Sequence, residues 1–261
     1  MKCKSGKNRG KRNASFFLGI LSLVTVVLCL SASCNADGRK AQKYEYGVFL
    51  NADRTAVPKL KNYETVVIDA QYFSKKDIRK LHADGTKVYS YLNIGSVENF
   101  RPYYKTYEHL AIGDYENWEE EKWVNVADKD WQEFMDTLAG KLKKKGVDGF
   151  FIDNCDVYDY AHKKDIFDGL TVILKKIRAM GKPVVVNGGD IYVTAYQSRY
   201  GSAADIMTGV NQESVWSRID FTTKTFHTQK KRSGSISASI CRHAKRMEWM
   251  FICWNTRQTI N

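Results

Sequence analysis

The stretch Gly149-Phe150-Phe151-Ile152-Asp153-Asn154-Cys155-Asp156 is a short apolar run that ends abruptly in carboxylates and an amide. A continuous apolar run of this length suits a strand buried on both faces of a parallel sheet. The carboxyl ends of such strands are where α/β barrels and open α/β sheets carry their chemistry. Outward from it the same pattern returns. Thr65-Val66-Val67-Ile68 ends at Asp69, Val88 to Leu92 at Asn93, Val184-Val185-Val186 at Asn187, and Ile206 to Val210 at Asn211 and Glu213. One polar residue after a strand is ordinary turn or cap punctuation; recurrence in register points to one shared site. The stretches 75–81, 131–142, 166–180 and 192–200 between them have helical character, and glycine follows at Gly85, Gly146, Gly181 and Gly201. Strands alternating with glycine-ended helices predict βαβ units and a parallel sheet.

At 261 residues and 43% hydrophobic, the chain can bury one domain the size of an α/β barrel, which needs about 200 residues or more. Residues 1–33 stand apart: six Lys and Arg precede a 15-residue apolar run, Phe16 to Leu30, and then Ser31-Ala32-Ser33-Cys34. A basic segment, a short apolar one and small residues describe a secretory signal, and the run is shorter than the ~20 residues of a membrane span. The small residues before Cys34 also suit lipidation of that cysteine, although Leu30 lies one position further away than the usual bacterial pattern has it. The expected organisation is a signal over 1–33, a linker over 34–43, a barrel domain over 44–226 and an irregular basic tail over 227–261.

The net charge of +12 belongs to the ends, because residues 34–229 hold equal numbers of basic and acidic side chains. A nucleic-acid partner is therefore not expected of the folded domain. Of the six cysteines only Cys155 lies in the core, so no disulfide framework is implied, and the five histidines show no zinc-ligand spacing with cysteine. No metal or cofactor is expected, with a hard-cation site at Asp153 and Asp156 kept as an alternative.

Between Asn93 and Trp131 a long segment contains Phe100, Tyr103, Tyr104, Tyr107, Tyr115, Trp118 and Trp123. Long ordered loops are usually functional, and aromatic faces beside carboxylates suit sugar rings. Tyr91-Leu92-Asn93-Ile94-Gly95-Ser96 with Glu98, then Gly146 to Asn154 with Asp156, then Val186-Asn187-Gly188-Gly189 and Asn211-Gln212-Glu213, resemble the barrel of glycoside hydrolase family 114, over about 44–226. That family includes endo-α-1,4-polygalactosaminidases. The resemblance implies a (β/α)8 TIM-type barrel, a glycosidase acting on amino-sugar polysaccharide, and Asp153 and Glu213 as its catalytic carboxylate pair. The pair fits glycosidic cleavage, which needs one carboxyl group protonated as acid and one ionised as nucleophile or base. Asp69, Tyr91, Asn93, Tyr103, Asn154, Asp156, Asn187 and Trp216 are the candidate substrate-binding residues.

Two rival classes stay open, a noncatalytic carbohydrate-binding lipoprotein and a metal-dependent α/β hydrolase. After Gln229 the strand–helix rhythm stops and the composition turns basic and serine-rich, so the barrel is expected to be incomplete at its C-terminal end. Met247 to Asn255 can be encoded by codons whose shifted frame yields a glycine followed by a strand ending in a carboxylate. The tail from about Lys230 is accordingly expected to be the product of a reading-frame shift.

Overall fold

The computed structural model describes residues 42–213, 217–220, 223, 225–228 and 250–253. The expected signal, Cys34, Trp216 and the tail from Lys230 apart from 250–253 lie outside those residues.

Seven parallel strands stand side by side in the order β1 (Tyr44–Phe49), β2 (Tyr63–Ile68), β3 (Lys87–Asn93), β7 (Gly149–Asp153), β8 (Val184–Asn187), β9 (Gly209–Gln212) and β12 (Met250–Cys253). Among the described residues β12 does not pair back to β1. The described residues thus form an open (β/α) TIM-type barrel with seven of the usual eight strands.

The helices between the strands begin and stop on local signals. Ser74 and Asp77 form a reciprocal capping box at the start of α2 (Lys75–Ala83). Asp128 accepts from the Asp130 and Trp131 amides at the head of α4 (Lys129–Lys145), and Gly146 ends that helix at φ 104°, a conformation costly for any residue with a Cβ. Trp131 is fully buried and its indole N–H donates 2.9 Å to the Ile94 carbonyl, which fastens α4 to the end of β3.

Strand periodicity sorts the apolar side chains into two layers. Val66, Ile68, Val88, Leu92, Phe150, Ile152, Val184 and Val186 face outward and pack with Ile78 and Leu81 of α2, Met135 and Leu142 of α4, and Leu170, Ile173, Leu174 and Ile177 of α6 (Lys164–Ala179). The residues between them, Val67, Tyr89, Tyr91, Phe151 and Val185, form a second, inner cluster with Val48. The central strands β2, β3, β7 and β8 thus have apolar partners on both faces, which is why these segments are continuously hydrophobic.

Two expectations change. The long 93–131 segment is not a loop but a folded insert: β4 (Ser96–Glu98), β5 (Ala111–Asp114) and β6 (Glu121–Val124) make an antiparallel sheet in the order β4-β6-β5, with the short α3 (Tyr104–Tyr107) between β4 and β5. The strand expected over 206–210 begins only at Gly209. Ile206 and Met207 are buried as their apolar character demands, but their amides both bond to the Ala203 carbonyl in a turn. Beyond β9, β10 (Ser217–Asp220) and β11 (Thr225–Thr228) form an antiparallel hairpin, and Met250–Cys253 pairs with Gly209–Gln212.

Candidate active site

Alternation along each strand determines which side chains meet at the carboxyl ends. The inner face that carries Tyr89 and Tyr91 carries Asn93 next, that of Phe151 carries Asp153, and that of Val185 carries Asn187. Register then sets Asn93 beside Asp153 and Asn187 beside Asn211. The Asn187 amide nitrogen donates to Asp153 Oδ1 at 2.9 Å and to Glu213 Oε1 at 3.2 Å, so one side chain touches both carboxylates. Asn211 Nδ2 in turn donates to Asn187 Oδ1 at 2.6 Å. That bond fixes which way the Asn187 amide faces, and leaves its nitrogen aimed at the acids.

Both carboxyl groups resist ionisation. Burial pushes Asp153 above the usual carboxylate range, against hydrogen bonds from Asn187 and the Tyr91 hydroxyl that favour its charged form. Glu213 stands exposed at the rim just past β9. Its carboxyl is also pushed up, first by lost solvation and then by the charge of Asp153. Two neighbouring carboxyls without a cation cannot both ionise cheaply, and this leaves one proton to be shared or donated.

A third carboxylate lies on the insert. Glu121 Oε2 accepts from Ser96 Oγ at 2.6 Å, Asn154 Nδ2 at 3.2 Å and Asn93 Nδ2 at 3.3 Å. Desolvation, then Glu98 and Asp153, outweigh these bonds and push Glu121 up to about 7. Asn154 is held in the left-handed region at φ 65°, a conformation that costs a non-glycine residue free energy and is often found at functional sites. Its amide oxygen accepts from Tyr115 at 3.1 Å. Gly95 is needed beneath it, since a Cβ there would overlap the Asn154 carbonyl oxygen.

The other expected residues have internal partners. Asp69 and Glu98 are buried and both bind the buried Arg101, Asp69 at 2.5 Å through Nη1 and Glu98 at 2.8 Å through Nη2. Asn93 gives its amide to Ser96 and Glu121. Both carboxylate oxygens of Asp156 accept from the Gly189 amide at 3.2 Å, and burial followed by the charge of Asp153 pushes the group up to about 7. Tyr103 packs against Phe134 with ring centroids 4.6 Å apart. Among the described residues no three His, Cys, Asp or Glu side chains are grouped to hold a metal ion.

Next to Tyr91 opens a cleft of about 860 Å³, lined among others by Leu50, Tyr72, Tyr91, Phe100, Trp118 and Glu121. Phe100 and Trp118 are exposed on its wall. Tyr91 belongs to the cleft and also to Asp153, and so joins the two. Neither Glu121 nor Arg101 stood out in the sequence. Glu121-Lys122-Trp123-Val124, two polar residues followed by two apolar ones, shows no strand period that could have marked them.

The model of glycoside-hydrolase family GH114 matches residues 30–199. The chain belongs to family GH114. By that membership this GH114 protein is a glycosidase. No curated protein matches it. Among solved structures, it is similar to the glycoside hydrolase domain of PelA from Pseudomonas aeruginosa, at 14% identity and TM-score 0.66 over 81% of this chain and 82% of that one. It is also similar to Ega3 from Aspergillus fumigatus, solved in complex with galactosamine, at 18% identity and TM-score 0.62 over 85% and 83%. At such identities the likeness speaks for a shared barrel fold. Among the described residues of this GH114 member no helix is long and apolar enough to cross a membrane.

Proposed function

We propose that the protein is an exported glycosidase that hydrolyses amino-sugar polysaccharide with Asp153 and Glu213 as its carboxylate pair. The observation that carries this is the single Asn187 amide donating to both carboxylates from between them. Because one nitrogen touches both, those two oxygens lie at most about 6 Å apart, short of the roughly 6.5–9.5 Å separation of inverting glycosidases. A retaining course follows: one carboxyl protonates the leaving oxygen, the other attacks the anomeric carbon, and water then releases the covalent glycosyl-enzyme. The choice of an amino sugar rests on family GH114 and on the galactosamine bound by the similar Ega3. Export rests on the basic segment, apolar run and small residues of 1–34.

The test is to incubate the purified chain with galactosamine polymers and follow released oligosaccharides by mass spectrometry. Proton NMR then identifies the first-formed anomer, expected to match that of the substrate. Asp153→Asn and Glu213→Gln should each lower the rate on the order of 10²-fold or more. Turnover near the parent level in either variant removes that residue from the pair.

A further inference from the structure

Glu121 is an expensive residue to place where it is. Taking a carboxylate partly out of water without a counter-charge is unfavourable. The nearby buried cation, Arg101, is already held by Glu98 and Asp69. The barrel does not require this carboxylate, because Glu121 begins β6 of the antiparallel insert and takes no part in the parallel sheet. Its three side-chain donors all converge on Oε2, while Oε1 takes none of them, and the residue lines the cleft together with Tyr91 and Trp118. Asn154, which follows Asp153 directly, links Glu121 to the proposed catalytic strand end through its 3.2 Å bond. Ser96 completes the cradle by bonding both Glu121 and the Asn154 amide, at 2.6 and 2.9 Å. The carboxylate is thus fastened on one side and open on the other, towards a cleft with exposed aromatic walls.

We propose that Glu121 is a substrate-positioning residue whose open oxygen takes the ammonium group of an amino sugar seated in the cleft beside Asp153. This rests on the amino-sugar reading of the site and names the atom that would distinguish a free amine from an N-acetylated sugar. The ammonium supplies the missing counter-charge, and a charge-assisted hydrogen bond to a partly desolvated carboxylate is about twice as strong as a neutral one. An N-acetyl group brings no charge and gains much less from Glu121.

Binding is measured by calorimetry on the full-length chain carrying Asp153→Asn, so that turnover does not interfere, with free-amine and N-acetylated galactosamine oligomers. Adding Glu121→Gln should weaken the free-amine oligomer about 10-fold or more and the N-acetylated one by less than about 3-fold. Glu121→Asp, which keeps the charge, should recover part of the loss. Equal weakening of both oligomers, or none of either, overturns the proposal, since a merely structural role moves both together. If the Asp153→Asn chain is folded by circular dichroism and binds neither oligomer, the amino-sugar reading itself fails and takes the role of Glu121 with it. If that chain binds both and Glu121→Gln changes neither, only the role of Glu121 fails.

Discussion

Two groups of acids share this barrel mouth and are held in opposite ways. On the β2 side Asp69 and Glu98 close around Arg101, with side chains about 3% exposed and both ion pairs formed. On the β7 to β9 side the donors are neutral: the Asn187 amide bonds both Asp153 and Glu213, and Asp153 also takes the hydroxyl of Tyr91 and the backbone amide of Asn154. The first group shares one counter-ion, and this ties the insert to the strand end. The second keeps its charge uncompensated, and burial raises its proton affinity. Burial with a counter-ion fixes structure, and burial without one holds a proton ready for transfer.

That contrast can be broken most sharply through Arg101. Arg101→Ala strands two buried carboxylates and should cost about 3–5 kcal/mol, a fall in Tm of roughly 10 °C for a domain this size. Asp153→Asn, by the same logic, removes an uncompensated charge and should leave Tm equal or higher. Thermal melts of both variants decide the matter, and a comparable drop in each would erase the distinction between the two groups.

Asn187 sharpens the second half of the comparison. With Asn187→Ala the two acids lose their common donor, and turnover on a galactosamine oligomer should fall about 10- to 100-fold. Stability should change far less than in Arg101→Ala. Steady-state rates and a melt on the same preparation test this, and an unchanged rate would show that the amide does not serve the pair.

The smallest effect is a pH dependence at Glu121. Its folded value of about 7 lies above the ordinary 4.5. The stability that its neutral form contributes is therefore full below pH 4.5 and is lost as pH rises through about 7. Glu121→Gln has no such proton to lose. Between pH 5 and pH 8 the parent Tm should fall about 3 °C more than that of the variant. Parallel Tm curves would place the Glu121 carboxyl in water.

Much of the barrel was legible because its signals are local. The apolar run before Asp153 needs only itself to say that it is a strand buried on both faces, and Ser74 with Asp77, or Gly146 after α4, mark helix limits within a few residues. The first strand, Tyr44–Phe49, gave no comparable run, since its first three residues face solvent or are half-buried. The insert was illegible for a related reason. Its strands are three or four residues long and are stabilised by each other, so Ser96–Glu98 and Glu121–Val124 show their period only once paired.

The sequence by itself determined the order of the five central strands β2, β3, β7, β8 and β9, the helices between them, and the polar residues that end those strands, because periodicity and capping act over single elements. It also determined that Asp153, Asn187 and Glu213 lie at strand ends. Only the tertiary structure decided what those residues touch. Asn187 reaches Glu213 across 26 positions of chain and Asn154 reaches Glu121 across 33. Such contacts follow from strand register and from how the insert folds over the mouth, and so does the difference between an acid paired with Arg101 and an acid left with a proton.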